Sequence, residues 1–147
     1  MRFEQPPPEP LAGAIGFLLS WNGKRLASAF ADNLEPLGLR PPHFGVMNLI
    51  DAHPGSAQQQ LVDLSMIDPS SMVRLIDELE EMGVAERRVD SADRRRREVH
   101  LSAAGKRKLE RARRVAGDSV QEVLEPLDEE EQETLRRLLR KLAGLDK

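Results

Sequence analysis

At 147 residues the chain suits one compact core, and its 32% charged and only 3% aromatic residues fit long solvent-facing helices better than a strand-rich sandwich. Cysteine is absent, which excludes disulfides, zinc ribbons and thiol-based redox sensing. The formal net charge of −3 excludes a nucleic-acid partner only if charge is evenly spread.

Residues 1–10 hold Pro6, Pro7, Pro8 and Pro10, which lack amide donors, so a flexible extended arm is expected there rather than a signal peptide. No apolar run approaches the ~20 residues that cross a bilayer, and the protein is expected to be soluble and cytoplasmic, with no membrane partner. From Leu11 the residues Ile15, Leu18, Leu19, Leu26, Phe30 and Leu34 recur at helical spacing until Pro36 and Gly38. Pro41 and Pro42 open a second helix with Phe44, Met47, Leu49 and Ile50, closed by Pro54-Gly55. A short third helix is expected to start at Ser56 with a Ser56/Gln59 capping box and to carry Leu61 and Leu64.

Asp68 followed by Pro69 reads as an acidic N-cap and a proline in the first turn of a fourth helix, which Gly83 ends. Its inner stripe is Met72, Leu75, Ile76, Leu79 and Met82, leaving Ser70, Ser71, Val73, Arg74, Asp77 and Glu78 outside. Val84–Val89 and Arg97–Leu101 then read as a hairpin with a charged tip. Beyond Ser102 the helical period returns through Leu109, Ala112, Ala116, Val120, Val123 and Leu124. Asp128 and Glu131 form a capping box ahead of Leu135, Leu138, Leu139 and Leu142, with Gly144 as the stop. The fold class is mainly α with a small β-hairpin.

Two short helices joined by a tight turn, the second followed by a hairpin, make a winged helix-turn-helix whose second helix enters the major groove. Charge is segregated to match. Arg87 to Arg97 holds six arginines against Asp90 and Asp93, whereas Asp118 to Glu133 holds eight acids and no Lys or Arg. A phosphate backbone feels that local charge rather than the average. Ser70, Ser71 and Arg74 present hydroxyls and a guanidinium to base edges and phosphates, while Ser70 and Ser71 also suit plain helix-start chemistry. Arg87, Arg88 and Arg97 serve equally as strand-surface charges paired with Glu86 and Glu98.

The stretch Ser56-Ala-Gln-Gln-Gln-Leu61 and the segment from Asp68 to Gly83 resemble the corresponding parts of the MarR (multiple antibiotic resistance regulator) family. Arg87-Arg88, Asp93-Arg94-Arg95 and Val99-His-Leu-Ser-Ala-Ala-Gly105 resemble that family's wing, its Asp-x-Arg tip and the start of its fifth helix. The resemblance covers nearly the whole chain, the proline-rich arm excepted. It implies a single domain over 1–147, with dimerisation helices at 11–35 and 103–145 and a winged lobe at 41–101. It implies a homodimer on double-stranded DNA, with contacts from Ser56, Gln58, Ser70, Ser71 and Arg74. At the wing, the resemblance makes Arg95 the residue inserted into the minor groove, oriented by an ion pair with Asp93, with Arg94 and Arg96 on phosphates. It further implies a small aromatic or phenolic effector, for which Trp21, His43, Phe44 and Met47 are the candidate lining. Core packing is the competing role for Phe44 and Met47.

No metal or other cofactor is expected. His43 and His53 are ten residues apart, about 15 Å on one helix, and His100 stands alone in a strand. No Gly-rich phosphate loop, Ser-x-x-Lys or His-Glu-x-x-His pattern supports an enzyme. The expected function is a sequence-specific transcription regulator, a repressor on a palindromic operator with ligand-modulated affinity. The alternative is a protein-interaction module whose winged lobe has lost DNA binding.

Overall fold

The computed structural model describes residues 5–146, so residues 1–4 of the expected arm lie outside the described residues. The order is six α-helices with one hairpin after the fourth, as the sequence pattern requires. The apolar run starting at Leu11 first forms a single 3-10 turn, Leu11–Gly13, which the extended backbone of Ala14 (φ −93°, ψ 114°) separates from α1, Ile15–Leu34. A second 3-10 turn, Glu35–Leu37, follows. α2 spans Pro41–Ala52, opened by the two prolines.

Ser56 does not start the third helix. Its backbone is extended and bridges to Val99, with Val99 N–H donating to Ser56 O at 2.9 Å. α3 is Gln58–Asp63, and only half of the cap remains, shifted by one residue: Gln60 Oε1 accepts the Ala57 amide at 2.8 Å, while Ala57 has no side-chain acceptor to complete it. α4, Pro69–Glu81, begins as expected, with the Asp68 carboxylate accepting the Ser71 amide at 3.0 Å. It ends at Gly83, whose φ of +72° is a conformation that glycine adopts without a Cβ clash. Met72, Leu75, Ile76 and Leu79 are buried in one stripe, each worth about 1.5–3 kcal/mol of transfer free energy.

β1, Ala85–Val89, and β2, Arg97–Leu101, pair antiparallel, with Ala85 opposite Leu101 and Val89 opposite Arg97. Because side chains alternate across a strand, Ala85, Arg87, Val99 and Leu101 share the inner face, and Glu86, Arg88, Glu98 and His100 share the outer one. α5, Ala103–Leu124, and α6, Glu129–Leu142, complete the chain, α6 with the expected Asp128/Glu131 capping box. No helix among the described residues is long and apolar enough to cross a membrane.

The chain divides into two compact units whose boundaries fall within α1 and α5: Ala31–Ala116, and Met1–Phe30 with Gly117–Lys147. Every buried apolar side chain among the described residues lies between Leu34 and Ala112, inside the first unit. The second exposes Leu11, Ile15, Leu19, Val120, Leu138, Leu139, Leu142 and Leu145, with Ile15 at 78% and Leu142 at 72%.

Within Ala31–Ala116, α5 docks onto the turn after α4. Ser102 N–H donates to Val84 O at 3.1 Å, Ser102 Oγ donates to Gly83 O at 2.7 Å, and the Gly105 amide donates to Ser102 Oγ at 3.0 Å. A Cβ at Gly105 would sit 1.9 Å from Val84 O, a backbone atom with no freedom to retreat. Gly105→Ala is therefore expected to destabilise the fold by about 1–3 kcal/mol or more, as overpacking does. Urea unfolding checks this, and an unchanged midpoint would refute the close approach.

Candidate nucleic-acid interface

The surface that a winged helix-turn-helix turns toward DNA consists of the outer side of α4 and the hairpin tip. On α4, Ser70 and Arg74 are exposed and Ser71 is half-buried. Ser70 Oγ donates to Asp68 Oδ1 at 2.6 Å and Ser71 N–H donates to the same oxygen. Hydrogen bonds from Ser70 and Ser71 hold the Asp68 carboxyl well below the usual carboxylate range. The helix-start role of the two serines is thus occupied, and their hydroxyl lone pairs remain for other donors.

Arg74 has neither a hydrogen bond nor an ion pair among the described residues. The two acids one turn beyond it are engaged elsewhere. Arg87 Nη1 lies 2.7 Å from Asp77 Oδ1, pairs with Glu80 as well, and its Nη2 donates to Gln58 Oε1 at 3.1 Å. Glu78 Oε2 lies 2.6 Å from both His43 Nε2 and Arg40 Nη2. These contacts, His43 first, hold the Glu78 carboxyl below its ordinary range.

At the wing, Asp90 N–H donates to Arg96 O and Arg96 N–H to Asp93 O, closing the tip. The buried Asp90 carboxylate accepts the Ala92 amide at 2.8 Å. The expected Asp93–Arg95 ion pair is replaced by a backbone contact: Asp93 Oδ1 accepts the Arg95 amide at 3.0 Å, as an aspartate two residues back in a turn does. Asp93 therefore shapes the loop and leaves the Arg95 guanidinium unheld. Arg94 and Arg95 are exposed with no side-chain partner among the described residues. Arg96, expected on phosphates, donates to Gln60 Oε1 at 2.7 Å in the free chain and lies 3.9 Å from Asp90 Oδ2, which ties the tip to α3.

Three further expectations change. Arg87 pairs with α4 rather than with Glu86 or Glu98, because the register puts it on the inner face beside Val99. Arg88 does pair with Glu86, on the outer face. Arg97 is exposed and pairs with neither Glu86 nor Glu98, and Glu98 Oε2 lies 2.8 Å from His100 Nε2 instead, so His100 is not alone. Ser56 and Gln58 are half-buried and engaged with β2 and Arg87 respectively. Of the candidate effector residues, Met47 is fully buried, His43 is 4% exposed, and Phe44 is half-buried on the same helix. Trp21 lies in the other unit, stacked on Phe17 with ring centroids 5.8 Å apart. Gln60, Asp77 and Glu78 carry roles that sequence reasoning missed. For Gln60 the only signal was three successive glutamines, which leave the cap register open.

A model of the MarR family matches residues 37–96. The transcriptional regulator HosA of Escherichia coli is 36% identical over 105 residues, covering 71% of this chain and 77% of HosA. A crystal structure of a probable transcriptional regulator from Pseudomonas aeruginosa is 33% identical with a TM-score of 0.73, over 90% of this chain and 98% of that one. The Mycobacterium tuberculosis MarR family protein Rv2887, named an HTH-type transcriptional repressor, is 28% identical over 130 residues, 88% of this chain and 94% of Rv2887. Its structure in complex with DNA gives a TM-score of 0.76, with 27% identity over 87% of this chain and 96% of that one. A structure of Rv2887 with p-aminosalicylic acid gives 0.73 at 27% identity, over 88% and 98%.

The depressed Asp68 carboxyl has a pH signature. A folded-state pKa below the unfolded value of about 3.9 stabilises the helix start above that value, and the contribution is lost as pH falls through and below it. Asp68→Ala is thus expected to lower the melting temperature at pH 7, with the gap to wild type closing at pH values below about 4. A gap that persists unchanged on acidification would show that Asp68 acts by something other than its charge.

Proposed function

The chain belongs to the MarR family, and from that premise we propose that it is a homodimeric transcription repressor that reads a palindromic operator and releases it on binding a small aromatic molecule. One observation carries the DNA reading. Arg74 on α4 and Arg94, Arg95 and Arg97 on the hairpin stay exposed and without a side-chain partner among the described residues, in a chain with more acids than bases. Arg74 suits a bidentate grip on guanine, with the hydroxyl lone pairs of Ser70 and Ser71 accepting beside it. Arg95 suits insertion into a narrow, A·T-rich minor groove, and Arg94 suits the adjacent phosphates. Asp93 and Arg96 then shape the wing, and Ser56 and Gln58 anchor α3 under it.

Repression and ligand response are supported by Rv2887, a named repressor seen both with DNA and with p-aminosalicylic acid. The relatives reported above are regulators, and no catalytic role is proposed. Location in the cytoplasm follows from the DNA target. The homodimer is supported by the exposed apolar side chains of Met1–Phe30 and Gly117–Lys147, which a second copy related by a two-fold axis would bury. Such a dimer spaces its recognition helices about 34 Å apart, one DNA turn, which makes the operator palindromic.

Sedimentation at micromolar concentration is expected to give twice the chain mass, and Ile15→Asp with Leu142→Asp is expected to give the single-chain mass. A wild-type monomer would defeat the dimer. On duplexes recovered by selection from random DNA, Arg74→Ala is expected to cost about 1–3 kcal/mol and to relax preference at one position in each half-site. Arg95→Ala is expected to weaken binding most on sites with A·T-rich flanks. Wild-type affinity in both variants would defeat this assignment of the interface.

A further inference from the structure

Arg74 can meet DNA only if its own helix does not capture it first. Asp77 and Glu78 lie three and four residues on, the two positions from which a carboxylate pairs with a guanidinium along an α-helix. In the structure neither does. Asp77 is held by Arg87 from the inner face of β1, and Glu78 by His43 and Arg40 from the start of α2.

The His43 arm is built for that task. The Arg40 backbone amide donates to His43 Nδ1 at 3.0 Å, so that nitrogen carries no proton. The ring hydrogen therefore sits on Nε2 and is donated to Glu78 Oε2 at 2.6 Å. The His43 side chain is 5% exposed, so the imidazole has no water to turn to and its donor is committed to Glu78. Arg40 adds the positive charge that Glu78 lacks from a neutral ring.

We propose that His43 and Arg40, with Arg87 as the second arm, are positioning residues that keep Glu78 and Asp77 off Arg74, so that its guanidinium reaches DNA unpaired. This rests on the DNA-reading role of Arg74 proposed above. It differs from an effector-lining role for His43, since both ring nitrogens are already engaged inside the lobe.

The test uses the full-length protein and a duplex recovered by selection from random DNA, titrated by fluorescence anisotropy at fixed salt. His43→Leu with Arg40→Ala removes both partners of Glu78, frees it to pair with Arg74 and is expected to weaken binding by about two-fold, the scale of one such helix pair. The further loss caused by Arg74→Ala is expected to shrink in that background. Adding Glu78→Gln to that double variant removes the competing charge and is expected to restore wild-type affinity. His43→Gln, whose amide can accept from Arg40 N–H and donate to Glu78, is expected to bind as wild type does. Nitrogen-15 spectra of the free protein should show His43 protonated at Nε2 and bare at Nδ1.

A merely structural His43 would not be rescued by a change at Glu78. Failure of Glu78→Gln to recover binding, with Arg74→Ala still costing its full amount in the variant lacking both His43 and Arg40, would overturn the clamp alone. An Nδ1-protonated His43 would do the same. Arg74→Ala without effect in the wild type would instead overturn the reading of Arg74, and the clamp's purpose with it.

Discussion

An arginine grips a guanine or a phosphate only when nothing in its own protein holds it first, because a bidentate carboxylate offers the same pair of acceptors. In this chain that condition is demanding, since 25 acids face 22 Lys and Arg residues. The fold meets it by pairing acids with other partners near the places where guanidinium groups must stay open. Asp68 is taken by Ser70 and Ser71, Asp77 and Glu80 by Arg87, Glu78 by His43 and Arg40, and Asp90 by the Ala92 amide. On α4 and the hairpin, Arg74, Arg94, Arg95 and Arg97 are left without a side-chain partner among the described residues. Exposed ion pairs contribute about 0–1 kcal/mol each to stability, so the value of these contacts lies in where they put charge rather than in how firmly they hold the fold.

Stability comes from the apolar core of Ala31–Ala116, where α2, α3, α4 and the hairpin bury Met47, Ile50, Leu61, Met72, Ile76, Leu79 and Val99. The Gly105–Val84 approach and the Ser102 hydroxyl attach the start of α5 to the same core. The other unit has no buried apolar side chain among its described residues, and its exposed leucines recur on α6 at three- and four-residue spacing. A stripe of that kind is unfavourable in water and favourable against a matching stripe, which ties the fold of these segments to assembly.

Most of the architecture was legible in the sequence because its signals are local. Asp68-Pro69 and Gly83 bound α4, the Asp128/Glu131 box starts α6, and the change from helical to alternating period marks the hairpin. What the sequence did not disclose is non-local. The partner of Arg87 depends on the hairpin register, since a shift by one residue would have put Arg87 on the outer face beside Glu98. Glu78 meets His43 across 35 positions, through packing of α2 on α4 that no spacing rule encodes. The start of α3 moved because Ser56 gave its backbone to β2, a tertiary contact that outweighed a good capping residue.

The charge segregation also decides when the acidic average matters. At physiological ionic strength a charge acts over about 8 Å, so only groups within that reach of a phosphate contribute to binding. The acids from Asp118 to Glu133 belong to the unit Met1–Phe30 with Gly117–Lys147, while Arg74, Arg94 and Arg95 belong to Ala31–Ala116. Under those conditions a cluster of arginines attracts a nearby phosphate whatever the sign of the net charge. As salt is lowered to about 0.01 M the reach extends to about 30 Å, and the net charge of −3 begins to oppose approach while the contact arginines are strengthened. The two trends have opposite sign, so the slope of affinity against salt under-reports the number of phosphates contacted. Net charge and partner are therefore separable: what a phosphate meets is the local arrangement of guanidinium groups, not the average over the chain.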